Sequence, residues 1–125
     1  MGKMEGEGLH FTYKDKKLKK SIEENDYSWI SKTIGMQMTK TFKKRILQIK
    51  ASDNFAIYLR TGLGKPHPLE GDLNGCYGIS ITGNFRLVIE PVTELYDFES
   101  LSKCDTVLVK GVTDYHGGKY NWILP

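Results

Sequence analysis

Near the C-terminal end, Thr106–Val112 is an almost continuous run of apolar, β-branched residues. That pattern suits a central strand buried on both faces. The residues before it read as its partners. In Cys76–Thr82, Tyr77, Ile79 and Ile81 alternate with Gly78 and Ser80. In Phe85–Glu90, Phe85, Leu87 and Ile89 share one face, and Arg86 and Glu90 share the other. Gly83-Asn84 between these two runs is a tight hairpin signal. Pro91 ends the second run.

The first half of the chain has a different period. Leu9–Phe11–Tyr13 alternates and reads as a short strand. Asp15 is a fitting N-cap for Lys16–Glu24, where Leu18 and Ile22 stand one turn apart. Asn25-Asp26 breaks that helix, and Asp26 can cap the next. Ile30, Ile34, Met38, Phe42, Ile46 and Ile49 then recur at helical spacing, predicting one long amphipathic helix. Gly35 marks a kink or a boundary within it. Arg45 falls inside the apolar arc, an odd place for a charge. Asp53–Leu59 fits one further short helical turn. Residues 61–68 form a loop rich in glycine and proline. Residues 92–104 form a loop or short helix. Trp122 and Ile123 in the tail are expected to dock on the core.

These readings predict an α+β fold of order β-α-α-β-β-β. Two N-terminal helices pack on one face of a small, mainly antiparallel sheet. Its 125 residues suit a single domain over 9–125, after a flexible N-terminus over 1–8. No apolar run approaches the roughly 20 residues that cross a bilayer, and no signal peptide is visible. No membrane partner is therefore expected. Cys76 and Cys104 lie in no paired motif and read as reduced thiols of a cytoplasmic protein.

The net charge of +3 hides an asymmetry. Residues 1–50 hold twelve Lys/Arg against six Asp/Glu, whereas residues 51–125 hold six against nine. Lys32, Lys40, Lys43, Lys44 and Lys50 fall opposite the apolar stripe of the long helix. They form either a surface that grips a polyanion or simply a solvated face.

His10 reads as a surface residue. His67 stands between Pro66 and Pro68, which either hold its side chain in place or merely make a turn. Asp114, Tyr115 and His116 follow the buried strand and precede two glycines. They are either a cluster at the sheet rim or a polar strand exit. Two imidazoles, a carboxylate, a phenol and arginines suit cleavage of an RNA phosphodiester. One imidazole would act as base on the 2′-hydroxyl and the other as acid on the leaving oxygen. A guanidinium would balance charge on the phosphate. No short ligand spacing supports zinc, so neither metal nor cofactor is expected.

Gly64–Leu73, Asn84–Pro91 and Val112–Lys119, taken in this order, resemble the core of the RelE/ParE toxin superfamily. The Asp-Tyr-His ending resembles its HigB-like branch, the plasmid-maintenance killer proteins. The resemblance spans roughly residues 9–124. It implies the toxin of a type II toxin–antitoxin pair, a ribosome-dependent endoribonuclease (mRNA interferase). The implied catalytic set is His67, Arg86, Asp114, Tyr115 and His116. The implied partners are the ribosome with its mRNA and a helix-turn-helix, HigA-like antitoxin. The helix lysines would hold ribosomal RNA phosphates, and Tyr115 would stack on a base. Two departures stand out. Glu70 occupies a position that is often lysine in these toxins, and residues 92–104 are longer than in compact members. The alternatives are a ParE-like, non-catalytic gyrase inhibitor and a decayed toxin that only binds its antitoxin.

Overall fold

The computed structural model describes residues 8–125. The predicted flexibility of residues 1–7 lies outside the described residues. Gly8 is buried and packs against the Lys50 carbonyl.

The α+β class holds, with five helices and one mixed sheet of six strands among the described residues. Along the chain these are β1 (His10–Tyr13), α1 (Lys16–Glu23), α2 (Ser28–Ile34), α3 (Met36–Lys50), α4 (Phe55–Thr61), β2 (His67–Pro68), β3 (Tyr77–Thr82), β4 (Phe85–Pro91), α5 (Phe98–Ser102), β5 (Thr106–His116) and β6 (Lys119–Leu124). The order adds five elements to the expected β-α-α-β-β-β: β2 within the loop expected over 61–68, α5 within the loop or short helix expected over 92–104, and three others, each with a local cause. The long helix is two helices, because Gly35 takes φ +85 between them and ends α2. Asn54 accepts the Ile57 amide proton and starts α4 as a helix of its own. The tail pairs with β5 as a sixth strand instead of docking as a loop. Asp15 caps α1 as predicted, accepting from the amides of Lys17 and Leu18.

The central strand is longer than the apolar run announced. β5 continues through Asp114, Tyr115 and His116. On one edge it pairs with β4 in antiparallel fashion. On its other edge it pairs in turn with two strands. Its first half runs parallel to β1 and its second half antiparallel to β6. β3 and the two-residue β2 complete the order β1-β5-β4-β3-β2.

The helices cover one face of this sheet. Leu18, Ile30, Phe42, Ile49, Phe55 and Tyr58 are fully buried there against Ile79, Leu87, Ile89, Val107, Val109 and Val112. Each such aliphatic side chain contributes about 1.5–3 kcal/mol by leaving water. The other face carries only a small cluster of Leu69, Cys76 and Val88, with Leu73 and Tyr120 packed on it.

Gly111 sits where β5 passes from one neighbour to the next. The register with β4 shifts there, and that with β6 shifts one residue later. Gly111 has φ +144, and a Cβ on it would overlap the Leu124 carbonyl oxygen. Gly111→Ala is therefore expected to lower unfolding stability by about 3 kcal/mol, read as a lower urea midpoint. An unchanged midpoint would show that β6 can yield. Cys76 and Cys104 are buried in different clusters, and burial pushes both thiols up. Neither is expected to react with a thiol reagent until the protein is denatured.

Candidate functional site

The sheet face away from the helices is where several of the candidate side chains gather. Alternation sends Tyr77, Ile79, Leu87 and Ile89 into the core, so Gly78, Arg86 and Val88 look the other way. His67 pairs with Gly78 in register, and its ring lies over that glycine. A Cβ at Gly78 would stand 3.4 Å from His67 Cε1 and 3.1 Å from Leu69 Cδ2. The missing side chain thus leaves the imidazole its place. His67 Nδ1 faces the Lys65 carbonyl oxygen at 3.4 Å, at the weak end of hydrogen-bonding range.

The loop that leads to His67 is tied to β3 at Ser80, the residue that Arg45 also bonds. The predicted odd charge on α3 is a brace between layers. Arg45 Nε donates to the Ser80 carbonyl oxygen at 2.8 Å, and its Nη1 donates to Gln48 Oε1 at 3.0 Å. The Ser80 amide donates to the Gly64 carbonyl oxygen at 2.7 Å. β2 pairs only with Tyr77 and Gly78, so Ser80 lies beyond its reach on the outer edge of β3. Arg45 and Gly64 satisfy the two backbone groups left there.

Arg86 curls onto its own hairpin, Nη1 donating to the carbonyl oxygens of Gly83 at 2.7 Å and Phe85 at 3.0 Å. It also acts on Tyr120. Burial and the nearby Tyr115 hydroxyl push the Tyr120 phenol up, and the Arg86 guanidinium opposes that shift. Tyr115 and Tyr120 are paired in register, with ring centroids 4.6 Å apart. At the far end of this face, Lys110 Nζ meets Glu90 Oε1 at 3.0 Å, with Cys76 Sγ 3.8 Å from the same oxygen.

The expected catalytic set does not all converge. Arg86, Tyr115 and His67 share the open face. Asp114 is opposite Phe85, which packs on the helix-side core, and His116 follows two residues on. Strand alternation therefore turns Asp114 and His116 away from Tyr115. Asn84 holds this strand end. Its Nδ2 lies 3.3 Å from His116 Nδ1, and its carbonyl oxygen accepts the Tyr115 amide proton at 2.8 Å.

A groove of about 680 Å³ opens on this face. One wall is the turn after β2, with Leu69, Glu70 and Asp72. The other is the β5–β6 hairpin, with Tyr115, Lys119, Tyr120 and Trp122. Trp122 is 40% exposed, so it forms groove wall instead of docking on the core, whereas Ile123 does pack against the core. The Lys14 ammonium covers the Trp122 ring at 5.0 Å. His67 and Arg86 flank the groove: His67 precedes its lining residue Pro68, and Arg86 lies in the cross-strand row of Thr113 and the lining residue Trp122. Residues 92–104 do not line it.

The helix lysines are placed otherwise than a uniform polar face requires. Lys32 is exposed on α2, and Lys50 is exposed at the end of α3. Lys40, Lys43 and Lys44 border an apolar groove between α3 and α4, where Leu47, Ile57 and Leu63 are exposed. Lys43 Nζ also lies 5.4 Å from the Tyr27 ring centroid.

Sequence reasoning missed Lys119, Tyr120 and Trp122. Their signal was the alternation of Tyr120, Trp122 and Leu124 across a Gly-Gly turn. Among the described residues, no group of three or more His, Cys, Asp or Glu side chains is arranged to hold a metal ion, and no helix is long and apolar enough to cross a membrane. No family model and no curated protein matches the chain.

Arg45→Ala should unpair the Ser80 carbonyl and cost about 2 kcal/mol. It should also speed amide exchange of Ser80 and of the loop before His67. Exchange unchanged at these amides would remove Arg45 as the brace.

Proposed function

We propose that the chain is a toxin-type endoribonuclease that cuts mRNA on the ribosome, as its resemblance to HigB-like toxins implies. One observation carries the reading. His67, Arg86 and an aromatic pair occupy the one sheet face the helices leave open, beside a groove of nucleotide size. His67 takes the proton of the 2′-hydroxyl, whose oxygen attacks phosphorus as the 5′-oxygen leaves. Arg86, released from its hairpin carbonyls, balances the phosphate charge. Tyr115 supplies a stacking surface for a splayed base. The leaving oxygen takes its proton from His116 if the RNA bends around the end of β5, and otherwise from water. In this reading the partners are the ribosome with its mRNA and a helix-turn-helix antitoxin.

The outward turn of Asp114 and His116 favours a second reading, in which the protein binds its antitoxin but does not cleave.

Primer extension on cellular mRNA after induction separates the two. The nuclease reading expects new 5′ ends in translated regions. It expects His67→Ala to reduce cleavage about 100-fold or more, the scale of a lost general base. Arg86→Ala should act on a similar scale. His116→Ala should cost less, because its ring points off the groove face. Wild-type protein that cuts nothing, or His67→Ala that cuts fully, would overturn the nuclease reading.

A further inference from the structure

The groove between the turn after β2 and the β5–β6 hairpin carries both signs of charge, divided between its walls. Glu70 and Asp72 stand on one wall, and Lys119 on the other. None of the described residues forms a hydrogen bond or ion pair with either carboxylate. An aromatic surface of Tyr115, Tyr120 and Trp122 faces them. Arg86 lies in the cross-strand row of Thr113 and Trp122.

This division limits the ligand. A phosphate is repelled by the carboxylate wall and attracted to Lys119 and Arg86. A cationic side chain meets the reverse. A nucleotide fits both walls when its base stacks on the aromatic surface, its phosphate lies toward the cations, and its base edge offers donors to the carboxylates. An ionised carboxylate only accepts hydrogen bonds. Guanine presents two adjacent donors, N1–H and the N2 amino group, on its Watson–Crick edge. Adenine and cytosine each present one amino donor beside a bare ring-nitrogen acceptor, and uracil one donor between two acceptors. The volume of about 680 Å³ lies within the range of small-molecule sites.

We infer that the groove selects guanine in single-stranded RNA, with Glu70 accepting hydrogen bonds from N1–H and the N2 amino group. The inference rests on the RNA reading above and adds base identity to it. It also gives Glu70 a task. A carboxylate where related toxins often carry lysine is unsuited to a phosphate but suited to a base edge. Glu70 stands next to Leu69, which is buried on the sheet and whose amide donates to the Cys76 carbonyl oxygen at 2.9 Å. Its backbone position is therefore fixed beside the His67 strand.

Fluorescence of Trp122 tests this. The chain has two tryptophans, and Trp29→Phe leaves Trp122 as the sole reporter in the full chain. GMP, AMP, a short oligo(A) RNA and the same RNA with one guanine are titrated against it. GMP is expected to quench at about tenfold lower concentration than AMP, the scale of one bidentate base contact. The guanine-bearing RNA should show the same advantage. Glu70→Gln, which both donates and accepts, should shrink the preference below about twofold while AMP still binds. Asp72→Asn should leave the preference in place. Equal binding of GMP and AMP, or a preference that survives Glu70→Gln, overturns the guanine assignment and leaves the RNA reading standing. No binding by any nucleotide or RNA overturns both. So does quenching by an arginine-rich hexapeptide alone, which would make the groove a peptide site. Circular dichroism of each variant confirms that the fold is kept.

Discussion

β5 shares one edge between two strands, and the rest of the structure depends on this. Its first half is held by β1, a strand from the opposite end of the sequence, and its second half by β6. Val107, Val109 and Val112 face the helices and are fully buried. Those contacts fix the register, because a slip by one residue would turn all three to the wrong face. Register in turn decides which residues of the strand end reach the open face. Tyr115 reaches it, and its neighbours in sequence do not. The bulge at Gly111 sets the phase of that second half, so core packing and site geometry meet at one residue.

The outer edge of the sheet poses a different problem. A strand edge with unpaired amides and carbonyls invites wrong partners. β2 protects only two residues of β3. A helix side chain and a loop carbonyl protect Ser80 beyond it, through Arg45 and Gly64. The basic N-terminal half thus places a cation directly into the sheet layer. The same contact braces the turn that leads to His67. Edge protection and the position of that imidazole therefore share one cause.

Much of this was legible in the sequence. The buried strand, the Gly83-Asn84 hairpin and the Asp15 cap follow from local rules, and local rules are what residue patterns encode. Two errors share a different origin. Ending β5 at Val112 hid the alternation of Asp114, Tyr115 and His116, so three consecutive residues read as one cluster. Reading Lys119–Pro125 as a docked tail hid the aromatic wall. Both depend on a pairing that only the hairpin between them creates. Arg45 was visible as an anomaly but not as a brace, because its partner Ser80 lies 35 positions away. The α3 lysines were visible as a charged face. The apolar floor beside them was not, because Ile57 and Leu63 come from α4 and the turn after it.

The charge asymmetry can now be placed in space. Lysines lie along the helices, whereas the groove on the open face mixes carboxylates, phenols, an indole and one lysine. Uniform positive charge attracts a polyanion from any direction and weakens steeply with salt. A mixed groove does neither, because its gain comes from stacking and from donors matched to acceptors. Under the RNA reading the two surfaces do separate work. Helix lysines such as Lys32 and Lys50 would give attraction without sequence. The groove gives discrimination with little attraction of its own. The salt dependence of affinity would then belong to the helices and base preference to the sheet. Phosphate contacts position a nucleic acid and base contacts specify it. Under the RNA reading the two tasks would fall to opposite layers of one small domain.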